Sequence, residues 1–317
     1  MIDTYGRDIY YLRLSVTDKC NLRCRYCMPA EGICEKKHDD MLSEDEMIQA
    51  VEAAALLGFR KIRLTGGEPL VKKNILSICR RCKEVKGIEE VCLTTNAILL
   101  SEMAENLKEA GVDRINISLD TLNPQKYNYI TRNGNLQKAI EGIEKALEVG
   151  FQRIKINAVL IGGLNDDEIV ELASLTCKYP VDVRFIELMP MQDHDEFGEQ
   201  AYVSVDAIMQ ALPQLQKSKQ DDGVARLYTL PKGKGNIGLI SALSSHFCAS
   251  CNRIRLTADG NLKPCLHSNQ EISIKGCNKE EMITKIKETI LAKPACHAPL
   301  SVLERSDAGR NMNRIGG

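Results

Sequence analysis

The chain has 317 residues, a formal net charge of −1 and only 4% aromatic residues. A near-neutral chain lacks the broadly basic surface that coats nucleic acid, and few aromatic side chains are available for stacking on bases. No stretch approaches the roughly 18 apolar residues needed to cross a membrane, and residues 1–7 lack a signal-peptide pattern. The 13 cysteines are therefore expected to be reduced thiols of a soluble, cytoplasmic, metal-bearing protein.

Up to about residue 188, strand-like segments alternate with helical patterns. Strands are predicted over residues 11–17, 61–65, 90–95, 112–120, 153–161 and 181–188. The clearest helices are predicted over residues 44–57, 75–86, 102–110, 136–149 and 167–177. Strands that alternate with helices pair in parallel through right-handed crossovers. This part of the chain is therefore either an open doubly wound sheet or a partial barrel.

Polar side chains recur on one face of these strands, which decides between the two. Arg13 and Ser15 alternate with leucine and valine, and Asn116 and Ser118 alternate with isoleucine and leucine. A parallel strand covered on both faces would be almost entirely apolar. We therefore predict an α/β fold in which an incomplete (β/α)6 TIM-like barrel encloses a polar lumen, since a complete barrel needs two more units.

After about residue 190 the elements become shorter. A helix is predicted over residues 205–212, strands over 225–230 and 236–241, and a helix over 279–291. Between them, an Asp-Gly turn at residues 259–260 is typical of a hairpin. We predict two domains: a barrel over residues 1–215, and a small C-terminal α+β cluster-binding domain over residues 216–317.

Cys20, Cys24 and Cys27 form a C-x3-C-x2-C motif. Three thiolates can ligate a four-iron cluster and leave one iron open for chemistry. A zinc site would need a fourth ligand nearby, and His38 lies eleven residues beyond the last cysteine. A disulfide switch would need only two of the three thiols. The spacing favours the cluster over both alternatives.

A second group consists of Cys248, Cys251 and, across the predicted hairpin, Cys265. These thiols alone are equally compatible with a cluster and with a zinc ribbon completed by His246 or His267. The first triad favours a second cluster.

Gly66-Gly67-Glu68-Pro69 directly follows the second predicted strand. Adjacent glycines allow backbone amides to approach a ligand closely, and the carboxylate of Glu68 is suited to an amino group. A tight strand-to-helix turn is the structural alternative.

With these motifs together, the chain resembles the radical S-adenosylmethionine enzymes and, more narrowly, the MoaA family of GTP 3′,8-cyclases in molybdenum cofactor biosynthesis. Further stretches that carry the resemblance are residues 12–18, 93–96, 117–120, 185–190, 252–255 and the terminal Gly316-Gly317. One departure is Ala97, where the family has glycine.

The resemblance implies two four-iron, four-sulfur (4Fe-4S) clusters and S-adenosylmethionine as cofactors. The first cluster would be held by Cys20, Cys24 and Cys27, and the second by Cys248, Cys251 and Cys265. Reductive cleavage of S-adenosylmethionine would give a 5′-deoxyadenosyl radical that abstracts the ribose 3′ hydrogen of GTP. Closure of C3′ onto C8 would give (8S)-3′,8-cyclo-7,8-dihydroguanosine 5′-triphosphate.

The resemblance also implies roles for individual residues. S-adenosylmethionine would be contacted by Tyr26, Gly67, Ser118 and Met189. GTP would be held by Arg13, Arg63, Thr94, Lys155, Arg184, Arg253, Ile254 and Arg255. Catalytic roles fall to Arg13, Arg253, Arg255, Gly316 and Gly317. The alternative for each arginine is an ion pair with a carboxylate such as Glu187 or Asp120.

The implied partners are an electron donor such as flavodoxin or ferredoxin and the downstream cyclic pyranopterin monophosphate synthase, and a homodimer is compatible with the family. Nucleic acid and membrane are not expected as partners. Two other functions remain open: a radical peptide-modifying enzyme with an auxiliary cluster, and a zinc-binding adaptor.

Overall fold

The computed structural model describes residues 1–33, 38–191, 197–219, 223–301 and 306–316. The first half contains six strands: β1 (Tyr11–Ser15), β2 (Lys61–Thr65), β3 (Glu90–Thr95), β4 (Arg114–Ser118), β5 (Ile154–Leu160) and β6 (Val181–Glu187). Its helices are α1 (Glu44–Leu56), α2 (Ile75–Glu84), α3 (Leu100–Glu109), α4 (Pro124–Thr131), α5 (Leu136–Glu148) and α6 (Ile169–Lys178). The strands pair in parallel in chain order from β1 to β6, which confirms the partial barrel.

The C-terminal part contributes short elements to the same sheet. These are α7 (Val205–Ala211), β7 (Gln216–Lys217), β8 (Arg226–Thr229), β9 (Asn236–Ile240), β10 (Arg253–Leu256), β11 (Asn261–Lys263), β12 (Ile272–Ser273), α8 (Lys279–Leu291) and α9 (Met312–Ile315). β9 pairs in parallel with β6, and β10 pairs in parallel with β1. The described strands thus form one 12-stranded sheet, which the C-terminal strands extend at both edges.

The alternation along the strands separates the core from the lumen. On β5, Ile154 and Ile156 are buried against the helices, whereas Lys155 and Asn157 are only half-buried on the opposite face. Each such apolar side chain contributes about 1.5–3 kcal/mol by its burial. The register follows because a slip of one residue would turn the isoleucines into the polar lumen.

Local capping explains where several helices begin. At α1, Ser43 and Glu46 form the capping box that their spacing predicts. α4 was not predicted, although Asn123 caps it by accepting bonds from two backbone amides and Pro124 occupies its first turn. Among the described residues, no helix has both the length and the apolarity that a membrane span requires.

Candidate active site

A cavity of about 220 Å³ opens where the strands of the barrel end. Its lining includes the first cysteine triad. It also includes all four residues that are expected to contact S-adenosylmethionine, namely Tyr26, Gly67, Ser118 and Met189. Arg13 and Thr94 of the GTP set also line it, as do Met312 and Asn313 from α9. Residues that are distant in sequence therefore meet in one chamber.

The first triad offers three half-buried thiols to this chamber. Burial raises the pKa of Cys20 to about 11, and burial together with Cys27 and Asp120 raises that of Cys24. Thiolates at this position therefore require a cationic partner. In the described parts of the chain, no three His, Cys, Asp or Glu side chains lie close enough together to hold a single metal ion. A cubane instead binds each thiolate through a different iron, so the donor set fits a three-cysteine cluster.

The loop that carries this triad is held by the end of α4. The amides of Arg23 and Arg25 donate to the carbonyls of Thr131 and Ile130 at 3.0 and 2.9 Å. The guanidinium of Arg132 donates to the carbonyl of Arg23 at 2.7 Å. A helix that the sequence did not reveal therefore positions the cysteines.

The Gly66-Gly67 pair brings this loop close to the end of β2. The amide of Gly67 donates to the carbonyl of Thr17 at 2.8 Å, and a Cβ at Gly67 would lie 2.3 Å from the carbonyl of Lys19. The amide of Gly67 is thus bound by the segment that leads to the cysteines. Gly67 still lines the cavity, and glycine is required there by the contact between the two backbones.

Glu68 joins the ends of β2 and β3. Its carboxylate accepts bonds from the Thr95 hydroxyl and the Asn96 amide, both at 2.7 Å, and from the Leu70 amide at 3.0 Å. Burial raises its pKa to about 7 despite these bonds. The carboxylate is thus engaged in supporting the loops around the cavity.

Tyr26 is oriented by Asp120, which directly extends the polar face of β4. The phenol donates to Asp120 Oδ2 at 2.6 Å, and Oδ1 accepts from the amide of Val159 at 2.9 Å. Burial raises the pKa of Asp120 to about 6 and, with the charge of Asp120, raises that of Tyr26. Sequence reasoning missed Asp120 as a site residue, although Asp120 continues the polar face of β4 beyond the end of the strand.

Arg255, Arg13 and Arg63 lie opposite one another on β10, β1 and β2. Neighbouring strands are about 4.8 Å apart, so these three side chains form a row on the lumen face, which we call the arginine row. Burial and the neighbouring arginines lower the pKa of Arg13 to about 10 and that of Arg255 to about 9. The row therefore concentrates positive charge that an anion would compensate.

Tyr11 lies one layer below the arginine row. Its hydroxyl accepts a bond from Arg63, and the guanidinium of Arg253 lies 5.2 Å from its ring centre. Burial alone would raise its pKa, but Arg63, Arg13 and Arg253 lower it to about 8. Sequence reasoning missed this residue because its phenol is neutral in isolation.

Four buried polar atoms on β10, β1, β4 and β5 are suited to a bound ligand. Within the described residues, Nε of Arg13 and of Arg253, and Oδ1 of Asn116 and of Asn157, are buried without a hydrogen-bond partner. Such atoms are costly unless a ligand or water satisfies them. A ligand with both acceptors and donors, such as a nucleotide, meets this requirement.

Arg184, Lys155 and Ile254, which are also expected to hold GTP, lie outside the arginine row. Burial and Arg63 lower the pKa of Arg184 to about 10, and burial and Arg184 lower that of Lys155 to about 7. Lys155 lies on the lumen face of β5, two residues before Asn157, which lines the cavity of the first triad. It also borders a second cavity of about 540 Å³ at the N-terminal ends of the strands. Ile254 is fully buried in the hydrophobic core, so its side chain is turned away from the lumen.

The suggested carboxylate partners of the arginines have other partners. Glu187 accepts bonds from the amide of Leu243 at 2.8 Å and the hydroxyl of Ser244 at 2.5 Å, while Asp120 binds Tyr26. Both carboxylates therefore hold neighbouring residues in place beside the cavity through hydrogen bonds.

The C-terminal tail enters the lumen. Arg255 Nη1 donates to the carbonyl of Gly316 at 2.6 Å, and the side-chain Nδ2 of Asn313 donates to the carbonyl of Asp18 at 3.2 Å. Gly316 has φ +82°, and a Cβ there would lie 2.5 Å from Oγ1 of Thr65. Gly317 lies outside the described residues.

The second triad lies at the base of the β10–β11 hairpin. Burial raises the pKa of Cys248, whereas for Cys251 the charges of Lys293 and Arg253 outweigh burial and lower it. The histidines considered for zinc have other contacts: Nδ1 of His267 bonds the hydroxyl of Ser306 at 2.8 Å, and the ring of His246 packs on that of His297.

Comparison with known proteins agrees with this arrangement. The sequence model of the radical SAM superfamily matches residues 14–176, and that of Molybdenum Cofactor Synthesis C matches residues 181–298. The chain is 47% identical to the GTP 3′,8-cyclase of Alkaliphilus oremlandii, with 100% of both chains covered. It is also 47% identical to that of Peptoclostridium acidaminophilum, with 100% of this chain and 98% of the relative covered.

Solved structures share the fold at low identity. Streptococcus suis SuiB bound to precursor peptide SuiA superposes with a TM-score of 0.65 at 16% identity over 92% of this chain. Methylornithine synthase superposes with a TM-score of 0.53 at 15% identity over 65% of this chain. This chain spans only 66% and 62% of those two chains. With the fold and full-length relatives in agreement, the chain belongs to the GTP 3′,8-cyclase family of radical SAM enzymes.

Proposed function

We propose that this protein is a GTP 3′,8-cyclase that converts GTP into (8S)-3′,8-cyclo-7,8-dihydroguanosine 5′-triphosphate, an early step of molybdenum cofactor biosynthesis. One observation carries the proposal: Arg13, at the centre of the arginine row, also lines the cavity of the first triad. A nucleotide on the arginine row would therefore lie beside the cofactor that reacts with it.

Two cysteine triads would hold the two 4Fe-4S clusters, Cys20, Cys24 and Cys27 the first and Cys248, Cys251 and Cys265 the second. When bound, the first would supply the electron for cleavage of S-adenosylmethionine, and the second would supply an iron to which the purine can bind. Residues 1–215 would thus bind S-adenosylmethionine and residues 216–317 the second cluster. An electron donor such as flavodoxin or ferredoxin would reduce the enzyme.

Tyr26, Ser118 and Met189 would contact S-adenosylmethionine. Asp120 fixes the phenol of Tyr26 through its 2.6 Å hydrogen bond, so this contact is preorganised before the cofactor binds. Met189 packs against a small apolar cluster of Met191, Ala308 and Ile315, which keeps this side of the cavity apolar. Exclusion of water matters because a primary radical attacks any nearby C–H bond.

The arginine row would bind the triphosphate, which carries about four negative charges at neutral pH and suits the planar fork of arginine. Arg253 would add a charge one layer below, and Lys155 and Arg184 would extend the field across the lumen. The carbonyl of Gly316 orients Arg255 by accepting its Nη1 hydrogen bond at 2.6 Å. The product would then pass to the downstream cyclic pyranopterin monophosphate synthase, and a homodimer is compatible with this scheme.

The test is anaerobic incubation of the reconstituted protein with dithionite, S-adenosylmethionine and GTP. We expect 5′-deoxyadenosine and the cyclised nucleotide in equal amounts. Release of 5′-deoxyadenosine without consumption of GTP would refute the proposed substrate. Zinc in place of iron would instead favour an adaptor, and turnover that requires an added peptide would favour a peptide-modifying enzyme.

A further inference from the structure

We propose that Lys293 is a positioning residue for the second cysteine triad: one buried ammonium holds together the segments that carry Cys251, Arg253 and Cys265. The proposal rests on the 4Fe-4S cluster that the proposed function assigns to this triad.

Lys293 lies two residues beyond α8, where its amide donates to the carbonyl of Ile290. Its side chain turns inwards and leaves the residue only 4% exposed. Nζ donates to the Sγ of Cys251 at 3.5 Å and to the carbonyls of Arg253 and Pro264 at 2.8 Å each. An ammonium has three donors, so this geometry employs all of them.

These three acceptors lie on both arms of the β10–β11 hairpin. Cys251 and Arg253 precede and begin β10, while Pro264 follows β11 and immediately precedes Cys265. One cation therefore fixes the spacing between two of the three thiols. The same contact fixes the backbone from which Arg253 projects towards Tyr11.

The partners of Lys293 also indicate that negative charge belongs at this triad. A buried ammonium bound to two neutral carbonyls remains poorly compensated, because burial removes its hydration. Ligated thiolates would supply the missing negative charge. Hydrogen bonds to ligating sulfur also raise the reduction potential of an iron–sulfur cluster.

Lys263 provides a matched control in the same hairpin. It is also buried, with 0% exposure, and its ammonium donates to the carbonyls of Ser268 and Ala308 and to the carboxylate of Glu271. Among its hydrogen bonds to described residues there is none to a cysteine. Removal of Lys263 therefore reports the cost of losing a buried lysine without loss of a thiol contact.

The test uses the full chain in a background in which the three cysteines of the first triad are alanine, so that bound cluster iron reports the second triad alone. After anaerobic reconstitution we expect about four irons per chain in this background and in Lys263→Met, and less than half of that in Lys293→Met. Lys293→Arg, which keeps the charge, should recover most of the iron. Circular dichroism checks that each variant is folded.

A second readout covers the case in which Lys293→Met does not fold. In Lys293→Gln, we expect the midpoint potential of the second cluster to shift to more negative values, with no shift in Lys263→Gln. Equal iron in the two methionine variants, equal loss in both, or an unshifted potential in Lys293→Gln would overturn the proposal. Because iron and potential are measured without GTP, these results do not depend on whether GTP is the substrate.

Discussion

The guanidinium of Arg255 donates to the backbone carbonyl of Gly316 at 2.6 Å. This bond joins β10, which lies in the chain between Cys251 and Cys265 of the second triad, to the C-terminal tail. The tail reaches it because Arg310, six residues earlier, forms ion pairs with Asp259 at 2.9 Å and Glu271 at 2.5 Å. The tail is therefore held at both ends and closes the lumen beside the arginine row.

Gly316→Ala should reduce GTP cyclisation at least about tenfold, which corresponds to about 1.4 kcal/mol in the activation barrier. Its φ of +82° disfavours any Cβ, and that Cβ would lie 2.5 Å from Oγ1 of Thr65. Gly309→Ala is the control, since Gly309 also has a positive φ but a Cβ there meets no atom closer than 4.0 Å. Equal kcat/KM values in the two variants would contradict this role of the tail.

Lys155 should make GTP binding pH-dependent. Burial and Arg184 lower its pKa to about 7, below the ordinary value of 10.5, so the free protein loses this charge as pH rises above 7. If the triphosphate binds the charged form, the Kd should rise by up to about tenfold per pH unit between pH 7 and 8.5. Equilibrium dialysis of Lys155→Met provides the comparison, because its Kd should be higher at pH 7 and nearly constant above it. A parallel rise in both proteins would exclude Lys155 as the source.

Substitutions at Cys24 and at Arg253 should impair different activities: cleavage of S-adenosylmethionine and use of GTP, respectively. Cys24→Ala should abolish cleavage of S-adenosylmethionine, because the first cluster loses a ligand. Arg253→Ala should leave uncoupled cleavage measurable and raise the KM for GTP about tenfold or more, consistent with loss of a charge-assisted hydrogen bond to phosphate. Chromatographic assay of 5′-deoxyadenosine with and without GTP separates the two effects. Loss of cleavage in Arg253→Ala with intact GTP affinity would reverse the assignment.

Ala97 should be a site of backbone strain. It is buried at φ +65°, a left-handed conformation that favours glycine. Ala97→Gly should therefore raise the free energy of unfolding by about 1 kcal/mol, the relieved strain exceeding the entropy cost of glycine. Ala104→Gly removes an equally buried methyl group from α3 and should lower stability by about 1 kcal/mol. Denaturant unfolding compares them, and destabilisation by both substitutions would exclude strain at Ala97.

Much of the fold follows from local patterns. The bounds of β2 and β3 agree with prediction. In β2, the polar and apolar residues of Lys61–Thr65 alternate cleanly. The pairing of β10 with β1 did not follow, since it depends on contacts between residues more than 200 positions apart. α4 was missed because it has only eight residues and many polar ones, although Asn123-Pro124 is a recognisable helix start.

The site shows the same division. Cysteine spacing, which is local in sequence, identifies the first triad. Strand-face parity places Arg13 on the polar face, but the role of the arginines in holding GTP followed only from the resemblance to the family. The register that aligns Arg255, Arg13 and Arg63 in one row depends on the assembled sheet. Tertiary packing alone also produces two other contacts. The amide of Gly67 bonds the carbonyl of Thr17, and the buried ammonium of Lys293 bonds the Sγ of Cys251.

Abstraction of the ribose 3′ hydrogen is tested most directly with GTP deuterated at the ribose 3′ carbon. With dithionite and S-adenosylmethionine, we expect one deuterium in 5′-deoxyadenosine for each cyclised nucleotide formed, as measured by mass spectrometry. Unlabelled 5′-deoxyadenosine alongside consumed GTP would contradict it, because the hydrogen would then come from another position or another molecule.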